Sequence, residues 1–260
     1  MKRACSVLRV FTRDGEGGNH LGVITDLDRL DTAGMQLIAT KLGFSETVFI
    51  EDGAPPSVRI FTPGMEMPFA GHPLVGAAYH LLESGSDATR IECGIGEVRI
   101  RRDKDVVWVD APMYHENAYR DGGIFARRVR LPKPRSTWRV EMPLDYRIVE
   151  VDTPEDVARA APNTDYFGSA HGLVLFSRDG TQVRMRFFFP GGGINEDPAT
   201  GSAAVALATR LAAGGEPNGD ATIYQGEEIG HPSLIQLHWE GRIASIGGTV
   251  AEDEPMELSI

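Results

Sequence analysis

The sequence predicts an α+β protein of two pseudo-symmetric lobes, each a curved, mainly antiparallel sheet wrapped around one central helix. Three observations predict it. First, one pattern occurs twice. Arg59-Ile60-Phe61-Thr62-Pro63 leads through a loop to Phe69-Ala70-Gly71-His72-Pro73 and an apolar run from Leu74 to Leu82. Arg186-Phe187-Phe188-Phe189-Pro190 leads likewise to Ala199-Thr200-Gly201-Ser202-Ala203 and a run from Ala204 to Leu211. Second, both runs are apolar on nearly every side, and such a helix is satisfied only when sheet surrounds it. Third, the elements flanking the two units follow in the same order.

In the first half, strands are expected near 6–11 and 22–25, then a helix capped by Asp31, carrying Met35, Ile38 and Leu42 inward and closed by Gly43. Strands at 46–51 and 57–62 follow, then the helix from His72, then strands near 89–93, 96–101 and 105–110. In the second half, strands near 136–141 and 147–151 precede a helix capped by Thr153, with Pro154 at its first position and Glu155 and Asp156 in its first turn. Strands at 171–176 and 182–189 come next, then the helix from Ser202, then strands near 220–225, 232–238 and 242–247. The charged, Gly- and Pro-containing stretch from Met113 to Pro134 reads as the crossing between lobes. The expected division is residues 1–112 with 254–260 in one lobe and 118–250 in the other, with a ligand cleft between them.

With 260 residues the chain can bury a sizeable core. Its formal charge of −11 disfavours nucleic acid or an anionic membrane as partner. No apolar run is long enough to span a membrane, and Arg9 and Arg13 interrupt the place where a signal peptide needs its apolar core. Cys5 and Cys93 form no disulfide framework, so the cytoplasm is the default location.

The chemistry concentrates at the two helix starts. Asp197 suits an N-cap with Pro198 at the first helical position, and Thr200 and Ser202 can cap a second start just downstream. Free N–H groups and a partial positive charge at such a terminus suit a carboxylate, an enolate or a phosphate. Taken alone, this is an ordinary loop-to-helix junction; its mate at Gly71-His72 makes it one wall of a cleft. His72 stands in the repeat where Ser202 does, and a helix N-terminus favours its neutral imidazole. Glu46 opens a strand, on the face shared with Val48 and Ile50. Partial desolvation there raises a carboxyl pKa toward the range useful for taking up and returning a proton. Asp197 can anchor a substrate amine or serve as a second acid/base group.

Other motifs fail on context. Gly94-Ile95-Gly96 lies between two strands and reads as a hairpin turn. Gly191-Gly192-Gly193 is followed by no Lys-Ser or Lys-Thr, so it is no P-loop. His80, His115, His171 and His238 lack metal-ligand spacing, and no metal is expected.

Ser45-Glu46-Thr47, Phe61-Thr62-Pro63 with Pro68-Phe69-Ala70-Gly71-His72-Pro73, Glu196 to Ala203, and Gln225-Gly226 with Gly230-His231-Pro232-Ser233 resemble the phenazine-biosynthesis PhzF-like family. The resemblance runs almost end to end, from Phe11 and Gly18-Asn19 onward. It implies the diaminopimelate epimerase fold and cofactor-independent isomerisation by proton transfer on a small carboxylate-bearing metabolite, in a homodimer. Carried onto this chain, Glu46 is the general acid/base, with His72 and Asp197 as partners that orient substrate and assist proton movement. Gly71, Gly201 and Ser202 present N–H groups and a hydroxyl to the substrate carboxylate, and Asn19 lines the cleft. Two positions depart from the family pattern: His20 stands where Pro is usual, and His231 where Arg is common. Enzymes of this fold that use two opposed thiols place one at each central helix start. Cys5 and Cys93 lie on predicted strands instead, which disfavours a two-cysteine racemase. The alternative is a small-molecule-binding or protein-interaction module that has kept the fold and lost turnover.

Overall fold

The computed structural model describes residues 2–118, 122–192 and 194–259. The first half runs β1 (Lys2–Thr12), β2 (Asn19–Ile24), α1 (Thr32–Leu42), β3 (Glu46–Glu51), β4 (Ser57–Phe61), β5 (Glu66–Met67), α2 (Gly71–Glu83), β6 (Arg90–Cys93), β7 (Gly96–Asp103) and β8 (Val106–Pro112). After β9 (His115–Ala118) and α3 (Gly122–Arg128), the second half repeats that order. It runs β10 (Ser136–Glu141), β11 (Asp145–Glu150), α4 (Pro154–Ala158), β12 (Gly172–Asp179), β13 (Gln182–Phe189), β14 (Ile194–Asp197), α5 (Gly201–Ala213), β15 (Asn218–Gln225), β16 (Ser233–Glu240) and β17 (Ile243–Ser259).

The hydrogen-bonded ladders repeat with the elements. β2 pairs parallel with β3, and β11 parallel with β12; β4 pairs parallel with β6, and β13 parallel with β15. The remaining pairings are antiparallel and correspond in the same way, β3–β4 with β12–β13 and β7–β8 with β16–β17. The lobes join where β8 and β17 run antiparallel, Pro112 opposite Ile243 and Val107 opposite Gly248. Beyond that seam β17 lies against β1, and β9 lies against β10.

Each lobe closes around its own helix. Along α2 the chain is buried from Gly71 through Ala78 and at Leu81, and along α5 from Gly201 through Thr209 and at Leu211. Small residues on all sides let the sheets approach the helix axis closely, and the two cores merge into one apolar cluster. The outer helices form as their caps require. Asp31 accepts from Gly34 N–H, Gly43 closes α1 in the left-handed conformation, and Thr153 accepts from Asp156 N–H with Pro154 following. Cys5 and Cys93 sit buried and unpaired on β1 and β6, and Gly94-Ile95-Gly96 turns the β6–β7 hairpin.

The crossing stretch contains β9 and α3, and Phe125 of α3 with Val129 just beyond it joins a second apolar cluster with residues of β12 and α4. Two expectations need correction. Asp197 is not a helix cap, and Pro198 is not the first helical residue: α5 begins at Gly201, behind Thr200 in extended conformation. The Thr200 hydroxyl donates to the Asp197 carboxylate instead of capping the helix. The last strand runs on past residue 247 to Ser259, and Pro255 falls in a register shift of its ladder with β1. Tyr119, Arg120 and Asp121 of the crossing, and Gly193 of the glycine run, lie outside the described residues. Among the described residues no helix is long and apolar enough to cross a membrane.

Candidate active site

The two central helices meet end to end. A Cβ placed on Gly71 would lie 2.5 Å from Gly201 Cα, and one placed on Gly201 would lie 2.7 Å from Gly71 Cα. Only glycine at both positions allows this approach. Neither helix has a side-chain cap, since Ala70 and Thr200 hold the cap positions without bonding a first-turn N–H. Two sets of backbone donors and two positive dipole ends therefore converge on one place.

Around that junction lie all the side chains that the sequence singles out. Glu46, at the start of β3, is 7% exposed; His72, second residue of α2, is 2%; Asp197, last residue of β14, is 4%; Asn19, first residue of β2, is 1%. Register contributes to this, because β2 lies parallel to β3 with Leu21 opposite Glu46, so Asn19 and Glu46 open the two strands at the same end. The Asn19 amide donates to Asp197 Oδ1 (2.9 Å) and the Ala199 carbonyl (3.1 Å), and lies 3.2 Å from His72 Nδ1. His72 Nδ1 is also 3.2 Å from Glu46 Oε2. Nδ1 thus faces the Asn19 amide and the Glu46 carboxyl together, at equal distances. Asp197 Oδ2 accepts from the Thr200 hydroxyl at 2.5 Å. Gln225, fully buried, donates to the Asp197 carbonyl (2.7 Å) and the Thr200 hydroxyl (3.0 Å) and accepts from Thr200 N–H.

Burial sets the electrostatics. It pushes the Glu46 carboxyl well above the usual range, and the nearby charge of Asp197 adds to the rise. It also lifts Asp197 to about 6, against the opposing pull of hydrogen bonds from Thr200, Ser45 and Asn19. His72 is driven down to about 3, chiefly by burial, so its imidazole is neutral. Glu46 Oε2 and His72 Nε2 have no hydrogen-bond partner although both are buried. Two adjacent groups with open hydrogen-bonding capacity, one a high-pKa carboxyl and one a neutral imidazole, are equipped to pass a proton.

A cleft of about 530 Å³ opens beside Asn19, Ser45 and Pro198. At its rim His20 stacks on Phe44, with ring centroids 5.6 Å apart, and His231 meets His20 edge-on at 5.8 Å. The two departures from the family pattern thus face each other. On the opposite side Ser202 bonds the hydroxyl of Tyr146 (3.0 Å) rather than either carboxylate. Behind Asp197, buried Arg186 grips Glu196 through two bonds of 2.7 and 2.6 Å and donates to the carbonyls of Val157, Ala158 and Ala160. Tyr146, Gln225 and Arg186 were not expected as site residues. Gln225 stood in a motif beside its glycine, whereas Tyr146 and Arg186 carry no local signal. Among the described residues no group of three or more His, Cys, Asp or Glu side chains is placed to hold a metal ion.

Comparison with known proteins bears on this arrangement. The family described as PhzC-PhzF, phenazine biosynthesis-like protein, matches residues 8–251. A trans-2,3-dihydro-3-hydroxyanthranilate isomerase of Pseudomonas chlororaphis is 35% identical over 245 residues, covering 86% of each chain. The crystal structure of a Bacillus anthracis phenazine biosynthesis protein of the PhzF family superposes with a TM-score of 0.85 at 23% identity, covering 100% of both chains. A hydroxyproline epimerase of Agrobacterium vitis, with bound trans-4-hydroxy-L-proline, superposes with a TM-score of 0.65 at 14% identity over 100% of this chain and 93% of its own. The epimerase likeness carries the fold, and the near full-length family match carries more: the chain belongs to the PhzC-PhzF, phenazine biosynthesis-like family and is an isomerase.

Proposed function

We propose that the chain moves a proton between carbons of a small carboxylate-bearing metabolite, with Glu46 as the single general acid/base and no cofactor. The observation that carries this reading is the placement of Glu46 Oε2, buried, unpartnered and 3.2 Å from a neutral imidazole. In its ionised form Glu46 takes a proton from a substrate C–H bond, and the electron pair of that bond moves into the adjacent unsaturated system. The Glu46 carboxylic acid exchanges that proton with solvent and then delivers one to another carbon, so the atoms balance without oxidant or reductant. The raised pKa makes the carboxylate a stronger base and gives the acid form a usable lifetime. His72 and Asp197 orient the substrate, the first through its unpartnered Nε2 and the second as partner for a substrate amine. The N–H groups of Gly71, Gly201 and Ser202 hold the substrate carboxylate at the paired helix ends, and Asn19 lines the cleft. The working form is a homodimer.

The test uses trans-2,3-dihydro-3-hydroxyanthranilate, the compound named for the Pseudomonas relatives. Incubated with the protein in deuterated water, it should give an isomer of unchanged mass apart from deuterium at carbon, read by NMR. Ligand-induced thermal stabilisation without turnover of this or related carboxylates would instead identify a binding module.

A further inference from the structure

We propose that the Tyr146 hydroxyl is a second side-chain ligand for the substrate carboxylate, acting beside Ser202 at the start of α5. The proposal rests on the reading of the paired helix ends as a carboxylate site.

Tyr146 is 3% exposed on β11, between Val140 of β10 and Gly172 of β12. Its ring lies 5.0 Å from that of Phe187, and a Cβ on Gly172 would lie 2.6 Å from the Phe187 ring and 3.0 Å from Tyr146 Cδ1. A glycine at the neighbouring strand position thus makes room for both rings and fixes where the phenol points. Its hydroxyl reaches Ser202 Oγ at 3.0 Å, at the second residue of a helix whose N-terminus has no side-chain cap.

The hydrogen-bond arithmetic is incomplete at this pair. Two hydroxyls share one bond, so one O–H donates and the other has no acceptor among the described residues. An anion at the helix end accepts that spare donor. The hydroxyls border a narrow hollow of about 10 Å³ between Pro68-Phe69 and the Met142–Leu144 turn, with room for roughly one water. Ser202 follows Gly201 and His72 follows Gly71, and those two glycines meet, so the hydroxyl pair lies at the same helix junction as the acid/base groups. Burial first, and the Glu46 and Asp197 carboxylates second, raise the phenol pKa, so it remains a neutral donor at any working pH. A carboxylate bound at the paired helix ends would meet the Tyr146 and Ser202 hydroxyls there, at the junction that also holds the unpartnered Glu46 Oε2 and His72 Nε2.

The experiment compares two stable probes, anthranilate and its neutral amide, anthranilamide, titrated by fluorescence into wild type, Tyr146→Phe and Ser202→Ala. Phenylalanine keeps the ring against Phe187 and removes only the hydroxyl. A lost bond to a charged acceptor predicts about 10- to 100-fold weaker anthranilate binding in Tyr146→Phe, with anthranilamide binding changed less than about threefold. Ser202→Ala should move the same ratio in the same direction. Equal losses for both probes would assign Tyr146 a packing role only and overturn the proposal. So would unchanged anthranilate affinity, or a wild type that binds neither probe. Glu46→Gln provides the separation from the isomerase reading: it should keep the anthranilate preference while losing deuterium exchange. If it kept exchange, that reading would fall and the Tyr146 result would stand by itself.

Discussion

Asp197→Asn should make the protein more stable at about pH 8 and less stable at about pH 3.5. The Asp197 carboxyl is lifted from 3.8 to about 6 by burial. At ~1.4 kcal/mol per unit, ionising it in the folded protein costs ~3 kcal/mol. The folded state holds this proton more tightly than the unfolded chain does. Stability is therefore greatest below the unfolded value, falls as pH rises between 3.8 and about 6, and levels off above. Asparagine removes that cost but disturbs the acceptor pair. One oxygen still takes the Asn19 amide, whereas the Thr200 hydroxyl, 2.5 Å from Oδ2, loses its acceptor, at about 1–1.5 kcal/mol. The net effect is stabilisation by roughly 1–2 kcal/mol at pH 8, destabilisation by about 1 kcal/mol at acid pH, and curves that cross near about pH 5. Because the charge on Asp197 also raises Glu46, its removal relieves Glu46 as well and adds to the gain at pH 8. Urea unfolding at about pH 3.5, 6 and 8, followed through the buried Trp239, measures the difference directly. A variant destabilised equally at all three pH values would refute the claim that Asp197 is held ionised against its burial.

Gly201→Ala should destabilise by about 1–3 kcal/mol, because its new carbon meets the Gly71 backbone at 2.7 Å, which cannot move aside as the Ile246 side chain at 2.8 Å can; a Tm within about a degree of wild type would argue against close-packed helix ends. Arg186→Met strands the half-buried carboxylate of Glu196 and should cost about 3–5 kcal/mol, with much of it recovered in Arg186→Met/Glu196→Met. At pH 6, the ¹⁵N shifts of His72 should show a neutral ring, and an imidazolium would contradict the assignment. His20→Ala should shift KM with kcat held within about twofold, since His20 stands at the cleft rim and not at the reacting atoms.

The duplication was legible because it rests on local patterns: two strand-Pro-loop-Gly units, two helices apolar all round, and two capped outer helices at Asp31 and Thr153. Glu46, His72, Asp197, Asn19, Gly71, Gly201 and Ser202 could be named since they cluster in motifs at element ends, and the structure gathers them at one junction. Three features were hidden for physical reasons. The second half of β17 is acidic and contains Pro255, so its propensity argues against a strand; only the ladder with β1 makes it one. The preference of Thr200 for the Asp197 carboxylate over the helix N–H groups depends on Asn19 and Gln225, contributed by distant strands. Tyr146 reads as one aromatic in an ordinary strand, and its position against Ser202 comes from the packing of β11 beside α5.

The most direct test of the central claim is to run Glu46→Gln beside wild type in deuterated water with trans-2,3-dihydro-3-hydroxyanthranilate. Glutamine fills the same volume and cannot carry the proton. The account predicts a variant that folds, binds the carboxylate and forms no C–D bond, alongside a wild type that labels its product. Labelling by Glu46→Gln at a rate near that of wild type would contradict it.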